Sequence, residues 1–363
     1  MRLVTTPDAD ALPRRLATDR RQVRQTPHDA TSTRRKSAQP HPGSPMTMSV
    51  PKEPSTQMQT TAEKTVLITG ANVGIGKDIA RQLASLPETA RIYLACRNQD
   101  RAATAKADLE AKTGRSIFDI VLMDVADPGS VRAGLAGIDG SLDAVVMNAG
   151  GMGGKTPMKL TADGATYMFA SNVLGHVVLL ETLLAEDRLG EVAVFAGSEA
   201  ARGIPKMGFK RPSFDSNSAD ELATVIDGSF FAGKPDVNLA YGQAKLIGIL
   251  WMAYLARQYP DRRFICVSPG NTTGTQAPND LKLPLRIAAK YVMPRLGIAH
   301  KLDVGAKRLV DGVTDPTLSS GVFYASAGEV LKGPVVDQAD IFPDLANPSF
   351  QEHANEAIHR FIT

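Results

Sequence analysis

Cysteine is nearly absent from this chain, with two in 363 residues. Two thiols cannot make the disulfide framework of a small secreted fold. Cys96 closes one apolar run and Cys266 lies within another, so both read as buried small apolar groups, and a reducing compartment such as the cytoplasm fits. Long hydrophobic runs are missing as well. The longest, 246–256 (LIGILWMAYLA), is too short to span a membrane and fits a packed helix. No fixed-period repeat occurs, which excludes a solenoid. A charge excess is also lacking. The formal net charge is +3; residues 1–63 hold 10 Lys and Arg against 6 Asp and Glu, and the remainder holds 31 against 32. The pI of about 8.8 therefore comes from the N-terminal stretch. The body has no basic face for nucleic acid, and no metal is called for.

Residues 1–63 are rich in Arg, Thr, Ser, Pro and Gln and poor in large apolar groups. Such a stretch buries too little surface to offset its ordering entropy, so a disordered tail is expected. Its bias resembles an organelle transit peptide, although Asp8, Asp10, Asp19 and Asp29 interrupt it. Translation from Met46 or Met48 would leave most of it out. A plain tail or start-site artefact is the preferred reading.

From Thr65 onward, strand and helix patterns alternate. Strands are expected at 65–68, 91–96, 116–123, 142–147, 191–196, 263–267 and 321–325, with helices at 75–86, 101–112, 162–185 and 239–258. Nearly continuous apolar strands in such alternation predict a doubly wound α/β domain over 64–363, a parallel sheet with helices on both faces. Two stretches, 202–236 and 270–302, break the alternation after the fifth and sixth strands. Ligands of open α/β sheets lie beyond the carboxyl ends of strands, so both are candidate substrate walls or else surface excursions. The helix holding Leu246, Ile249 and Leu250 is apolar on much of its circumference, which allows a homo-oligomer or simple burial.

The first strand runs into Thr69-Gly70-Ala71-Asn72-Val73-Gly74-Ile75-Gly76 and then a helix. In this setting Gly70 permits the sharp turn, Gly74 lets a pyrophosphate approach the backbone, and Gly76 lets the helix pack close. Amides of the first helical turn and the helix dipole favour the negative charge. The second strand ends in Cys96-Arg97-Asn98, with an arginine and no acid where an adenosine ribose lies. That favours NADP(H) through the 2′-phosphate. Asp124-Val125 follows the third strand and is placed to meet the adenine. Asp124 is also a candidate cap for the helix near Pro128, a role that Asp127 fits better. Asn148-Ala149-Gly150-Gly151 ends the fourth strand with small groups over which a cofactor can lie; Asn148 alternatively bridges strands through its amide.

Tyr241 and Lys245 are four residues apart, hence on one helix face. A free phenol has a pKa of about 10. A nearby ammonium is expected to lower it; about 3 units would require about 4 kcal/mol. Ser198 ends the fifth strand at the same sheet edge and can hydrogen-bond a substrate oxygen. Asn172 lies mid-helix, where Asn is a poor former, so a buried water or backbone contact is expected. His176, one turn on, reads as a core residue rather than a ligand.

Taken together, TGxxxGxG at 69–76, Asp124, NAG at 148–150, Asn172, Ser198, YxxxK at 241–245 and Pro269-Gly270 resemble the short-chain dehydrogenase/reductase family over about Thr65 to Gly274. The resemblance implies a seven-stranded Rossmann sheet and one-step hydride transfer between NADP(H) and a small-molecule substrate. It implies Tyr241 as acid/base, Ser198 as substrate positioner, Lys245 on the nicotinamide ribose, and Asn172 on a relay water. It also implies that the loop after Pro269-Gly270 grips the carboxamide. That loop reads Asn271-Thr272-Thr273-Gly274-Thr275, with glycine where the family carries threonine, so Thr272 and its neighbours all stay open.

Two branches resemble this chain most: the retinol-dehydrogenase-like reductases and the light-dependent protochlorophyllide reductases. Asn271 and Ala244 stand where the second branch has cysteine and serine, which favours a dark carbonyl or alcohol oxidoreductase. A non-catalytic NADP(H) sensor needs none of Asn172, Ser198, Tyr241 and Lys245, and all four are present.

Overall fold

The computed structural model describes residues 63–205, 208–234, 236–272, 299–328 and 330–362. The expected N-terminal tail, Thr273 to Thr275 and most of the stretch 270–302 lie outside the described residues.

Eight strands form one sheet. In chain order they are β1 (Lys64–Thr69), β2 (Thr89–Cys96), β3 (Phe118–Leu122), β4 (Leu142–Met147), β5 (Leu189–Ala196), β6 (Arg263–Val267), β7 (Phe323–Ser326) and β8 (Val335–Asp337). Their spatial order is β3-β2-β1-β4-β5-β6-β7-β8. The seven expected strands pair in parallel, and β8 adds an antiparallel edge on β7. Three residues of mixed burial, Val335 to Asp337, carry too short a pattern to announce that edge in sequence. The order reverses between β1 and β4, the place where an open α/β sheet leaves a crevice.

Alternate strand residues feed two apolar layers. Val66, Ile68, Val146, Val194 and Ile265 face α1 (Gly74–Leu83), α2 (Gln99–Thr113) and a later helix, Leu302–Thr314. Leu67, Val145, Met147, Ala193 and Phe195 face α3 (Pro128–Ala136), α4 (Tyr167–Ala185), α5 (Ala219–Asp227), α6 (Val237–Gln258) and the last helix, Pro348–His359. In chain order the last two are α7 and α8. Helices α4 and α6 are long and apolar enough to cross a membrane by composition, yet both are mostly buried in this core. Helix α6 is apolar nearly all round because α8, α5 and the segment after β5 cover it, so its circumference needs no partner chain.

Helix α4 begins five residues later than its apolar pattern suggests. Gly164 turns the chain with φ of 79°, and the Thr166 hydroxyl accepts from the Phe169 amide as the cap. Between Ala170 and Leu174 the helix widens to a π turn. There the Asn172 amide donates to the Met168 carbonyl, four residues back, competing with the backbone ladder.

The stretch 202–236 divides between the core and a second cavity of about 590 Å³ lined by Lys210, Phe230, Phe231, Ala232 and Lys234. The stretch folds into α5, whose Leu222, Val225 and Ile226 join the core, and among the described residues none of it lines the crevice between β1 and β4. Its apolar positions are spaced for a helix and were masked by the surrounding Gly, Pro and Ser.

Helix α4 packs so close to the segment after β3 that a Cβ at Gly175 would run into the Val125 carbonyl. Gly175→Ala is therefore expected to destabilise the domain by about 1–3 kcal/mol, the range for overpacking a tight contact. Denaturant unfolding checks this, and a variant as stable as its parent would show that the contact relaxes freely.

Candidate active site

The crevice at the β1/β4 switch opens into a cavity of about 650 Å³. Its lining includes Gly70, Asn72, Val73, Gly74, Ile75, Arg97, Asp124, Val125, Asn148, Ala149, Gly150, Ser198, Tyr241, Lys245, Pro269, Gly270 and Thr272. These residues come from the carboxyl ends of successive strands and from α6, which is why positions 171 residues apart, Gly70 and Tyr241, share one space. Three of the expected residues do not line it: Gly76, Asn98 and Asn172, the last fully buried and bonded to Gly151, which does line it. Gly76 is buried beneath the turn. Asn98 is a correction: its side chain caps α2 by accepting from the Arg101 amide, which turns it from the cavity.

The nucleotide end is built from backbone. Gly70 and Gly74 have φ of 67° and 57°, a region glycine adopts without strain. A Cβ on Gly76 would lie 2.5 Å from both the Asn148 amide nitrogen and the Gly70 oxygen. Val73 supplies no side-chain cap to α1, and its first turn holds no acid. The free amides and the dipole thus suit an anionic pyrophosphate, and the cradle fits a dinucleotide. Arg97 donates to the Tyr167 hydroxyl at 3.0 Å, and both line the cavity. Asp127, not Asp124, caps α3, leaving Asp124 at the wall with its carboxylate accepting from Ala126.

Below the turn, the Thr69 hydroxyl accepts from the Asn148 and Ala149 amides, both at 2.9 Å. It also lies 3.0 Å from His176 Nε2. The other ring nitrogen of His176 faces the Asn172 carbonyl at 3.1 Å. A carbonyl only accepts, so Nδ1 carries the proton and Nε2 accepts from Thr69. His176 is fully buried, and desolvation, with Lys245 nearby, pushes its pKa down to about 3. It is a core residue, as the sequence implied, yet it links the glycine turn to α4. The Asn172 side chain clamps Gly151, donating to its carbonyl at 2.8 Å and accepting from its amide at 3.0 Å. Asn148 donates to the Thr69 carbonyl at 3.0 Å, so it bridges β1 and β4 while also reaching the cavity wall.

At the chemical end, Ser198 accepts from the Ala200 amide at 3.2 Å, leaving its own proton to donate. Lys245 is buried and donates to the Ala196 carbonyl at 2.9 Å, its ammonium 4.9 Å from the Phe195 ring centre and 5.9 Å from that of Tyr241. Desolvation lowers its pKa to about 8. The expected lowering of Tyr241 does not occur. Burial raises the phenol above its ordinary value, Ser198 pulls it back, and Glu199 pushes it further up. The Lys245 amine is directed at the Ala196 carbonyl, 5.9 Å from the centre of the Tyr241 ring. Cys96 also reaches the cavity, where burial holds its thiol up at about 11, so it is inert. The wall also includes Met152, Gly153 and Gly154, Tyr167, Glu199 and Ser268, which sequence reasoning missed. The first three simply continue the 148–151 run; the others adjoin or face marked residues only after folding.

A glycine turn at the switch point and a Ser-Tyr-Lys cluster thus share one cavity. Residues 64–208 match the short chain dehydrogenase family. The chain is similar to retinol dehydrogenase 12 of Homo sapiens, 37% identical over 54% of this chain and 56% of that protein. A short-chain dehydrogenase/reductase of Armillaria gallica is 31% identical over 57% of this chain and 65% of its own. The chain spans about half the length of the curated relatives it matches. Among solved structures, salutaridine reductase from Papaver somniferum covers 72% of this chain and 99% of its own, with a TM-score of 0.52 and 19% identity. L-sorbose reductase from Gluconobacter frateurii, complexed with NADPH and L-sorbose, covers 75% of this chain and 98% of its own, with a TM-score of 0.54 and 23% identity. These likenesses show the fold.

His176 stays neutral in the folded chain down to about pH 3, whereas an unfolded histidine takes a proton near 6.5. Between those values the unfolded state binds more protons, so stability falls as pH falls. The expected loss from this residue is up to ~1.4 kcal/mol per pH unit. Urea unfolding across that window should show a shallower pH slope for His176→Gln than for the parent; equal slopes would contradict the assignment.

Proposed function

We propose that this chain is an NADPH-dependent reductase of a small carbonyl substrate, with Tyr241 as proton donor. The observation that carries the reading is the convergence of Ser198, Tyr241 and Lys245 on the same cavity as the glycine turn. The nicotinamide supplies a hydride when bound. The residues of this chain handle the rest. Ser198 donates to the substrate oxygen and orients it. Tyr241, held protonated at neutral pH by burial, gives up its proton as the alkoxide forms. Lys245 places a cation beneath the phenol, which stabilises the phenolate left behind. The amides at 70–76 bind pyrophosphate, and Arg97 pairs with the 2′-phosphate.

The retinol dehydrogenases among the relatives support a carbonyl/alcohol pair as the reacting group. Asn271 and Ala244, in place of the cysteine and serine of the light-dependent branch, support turnover in darkness. The small stock of cysteine supports a cytoplasmic site of action, with an organelle as the alternative if the N-terminal stretch is a transit peptide.

NADPH oxidation in the dark against aldehydes, ketones and quinones tests the reading. Tyr241→Phe keeps the ring but not the proton, so kcat should fall about 10²–10⁴-fold with NADPH affinity little changed. A near-normal kcat in that variant would assign the proton elsewhere. Arg97→Ala should weaken NADPH while leaving NADH nearly unchanged, as measured by cofactor fluorescence; equal losses would remove the 2′-phosphate assignment.

A further inference from the structure

Beside Ser198 the chain places a carboxylate where an apolar group would be simpler. Glu199 is 3% exposed and reaches the cavity wall. Burial of a carboxylate is costly unless its oxygens are matched, and apolar replacements are often as stable. Its partners are specific. One oxygen accepts from the Ser268 hydroxyl, and that hydroxyl in turn accepts from the Gly270 amide at 3.1 Å. The other accepts from the Ser326 hydroxyl at 3.1 Å and its amide at 3.3 Å, with the Arg308 guanidinium at 3.8 Å. Arg308 closes the network by donating to the Ser268 carbonyl at 3.3 Å, the Ser326 hydroxyl at 3.1 Å and the Gly333 carbonyl at 2.8 Å. The carboxyl ends of β5, β6 and β7 are thereby tied to one carboxylate, which lies between the substrate serine and the Pro269-Gly270 turn.

Resting on the functional reading above, we infer that Glu199 is a positioning residue for the reaction: its carboxylate, bonded to Ser268 and through it to the Gly270 amide, sets the Ser268–Gly270 turn at the cavity wall. The turn has one tight seat. A Cβ at Gly270 would lie 2.7 Å from the Leu331 carbonyl and 2.8 Å from Arg308, and the Gly270 amide is held by the Ser268 hydroxyl. The second effect is electrostatic, since the carboxylate raises the phenol on top of its burial. Other groups share this field. Lys245 lies on the same helix as Tyr241, Arg308 faces Glu199 from α7, and His300 and Lys332 lie at longer range. Arg202, three residues on from Glu199, is directed toward Gln338 and the Ser326 carbonyl.

The test compares the full chain with Glu199→Gln, Glu199→Asp and Ser268→Ala. Two readouts are taken: NADPH affinity by fluorescence, and the phenol titration by ultraviolet difference spectra against Tyr241→Phe. Glu199→Gln should weaken NADPH several-fold and move the phenol midpoint down. Glu199→Asp should restore the midpoint. Ser268→Ala should weaken NADPH similarly while leaving the midpoint in place, which a loss of general stability would not separate. An unmoved midpoint in Glu199→Gln, or unchanged NADPH affinity in both Glu199→Gln and Ser268→Ala, overturns the inference. If Glu199→Gln does not fold, the Asp and Ala variants decide by the same readouts. A parent chain that binds NADPH but reduces no carbonyl overturns the functional reading, while these two measurements still judge Glu199.

Discussion

The Thr69 hydroxyl stands where β1 and β4 diverge, and three elements meet on it. It accepts two amides from the end of β4 and gives its proton to His176 on α4. With both lone pairs and the proton used, it is a fully satisfied buried polar group, the condition under which such a group specifies one arrangement instead of costing stability. Through His176 and Asn172 the same chain of bonds reaches Gly151. The glycine turn, the floor of the cavity and the π turn of α4 are thus held in one register by groups that have no room for an alternative.

At the chemical end, burial acts against charge. Lys245 is kept in a dry setting by the Ala196 carbonyl and two aromatic rings, which lowers its pKa, and the same dryness raises that of Tyr241. Both shifts have one cause, since burial favours the neutral form of each group, and they move the amine and the phenol apart on the pH scale. Ser198 and Glu199 are adjacent in sequence but act on the phenol in opposite senses.

Much of this site was legible in the chain because its signals are local. Gly70, Gly74 and Gly76 mark a turn whose geometry depends on their own backbones, and Tyr241 and Lys245 share a face by the helix period alone. Asp127 was recognisable as a cap from its place before Pro128. Misreadings arose where a residue had two local uses. Asn98 follows a strand end, as a ribose-binding residue would, but it also precedes a helix, and capping prevailed. In 202–236 the turn-forming residues concealed the spacing of Leu222, Val225 and Ile226.

The sequence by itself determined the alternation of strand and helix, the glycine turn, and the Tyr241–Lys245 pair on one helix face. Each depends on covalent geometry over a few residues. Only the tertiary structure decided that Glu199 meets Ser268 and Ser326, that His176 meets Thr69, and that burial raises the Tyr241 pKa. Those outcomes depend on desolvation and on contacts between residues up to 127 positions apart, and neither is encoded in any local spacing.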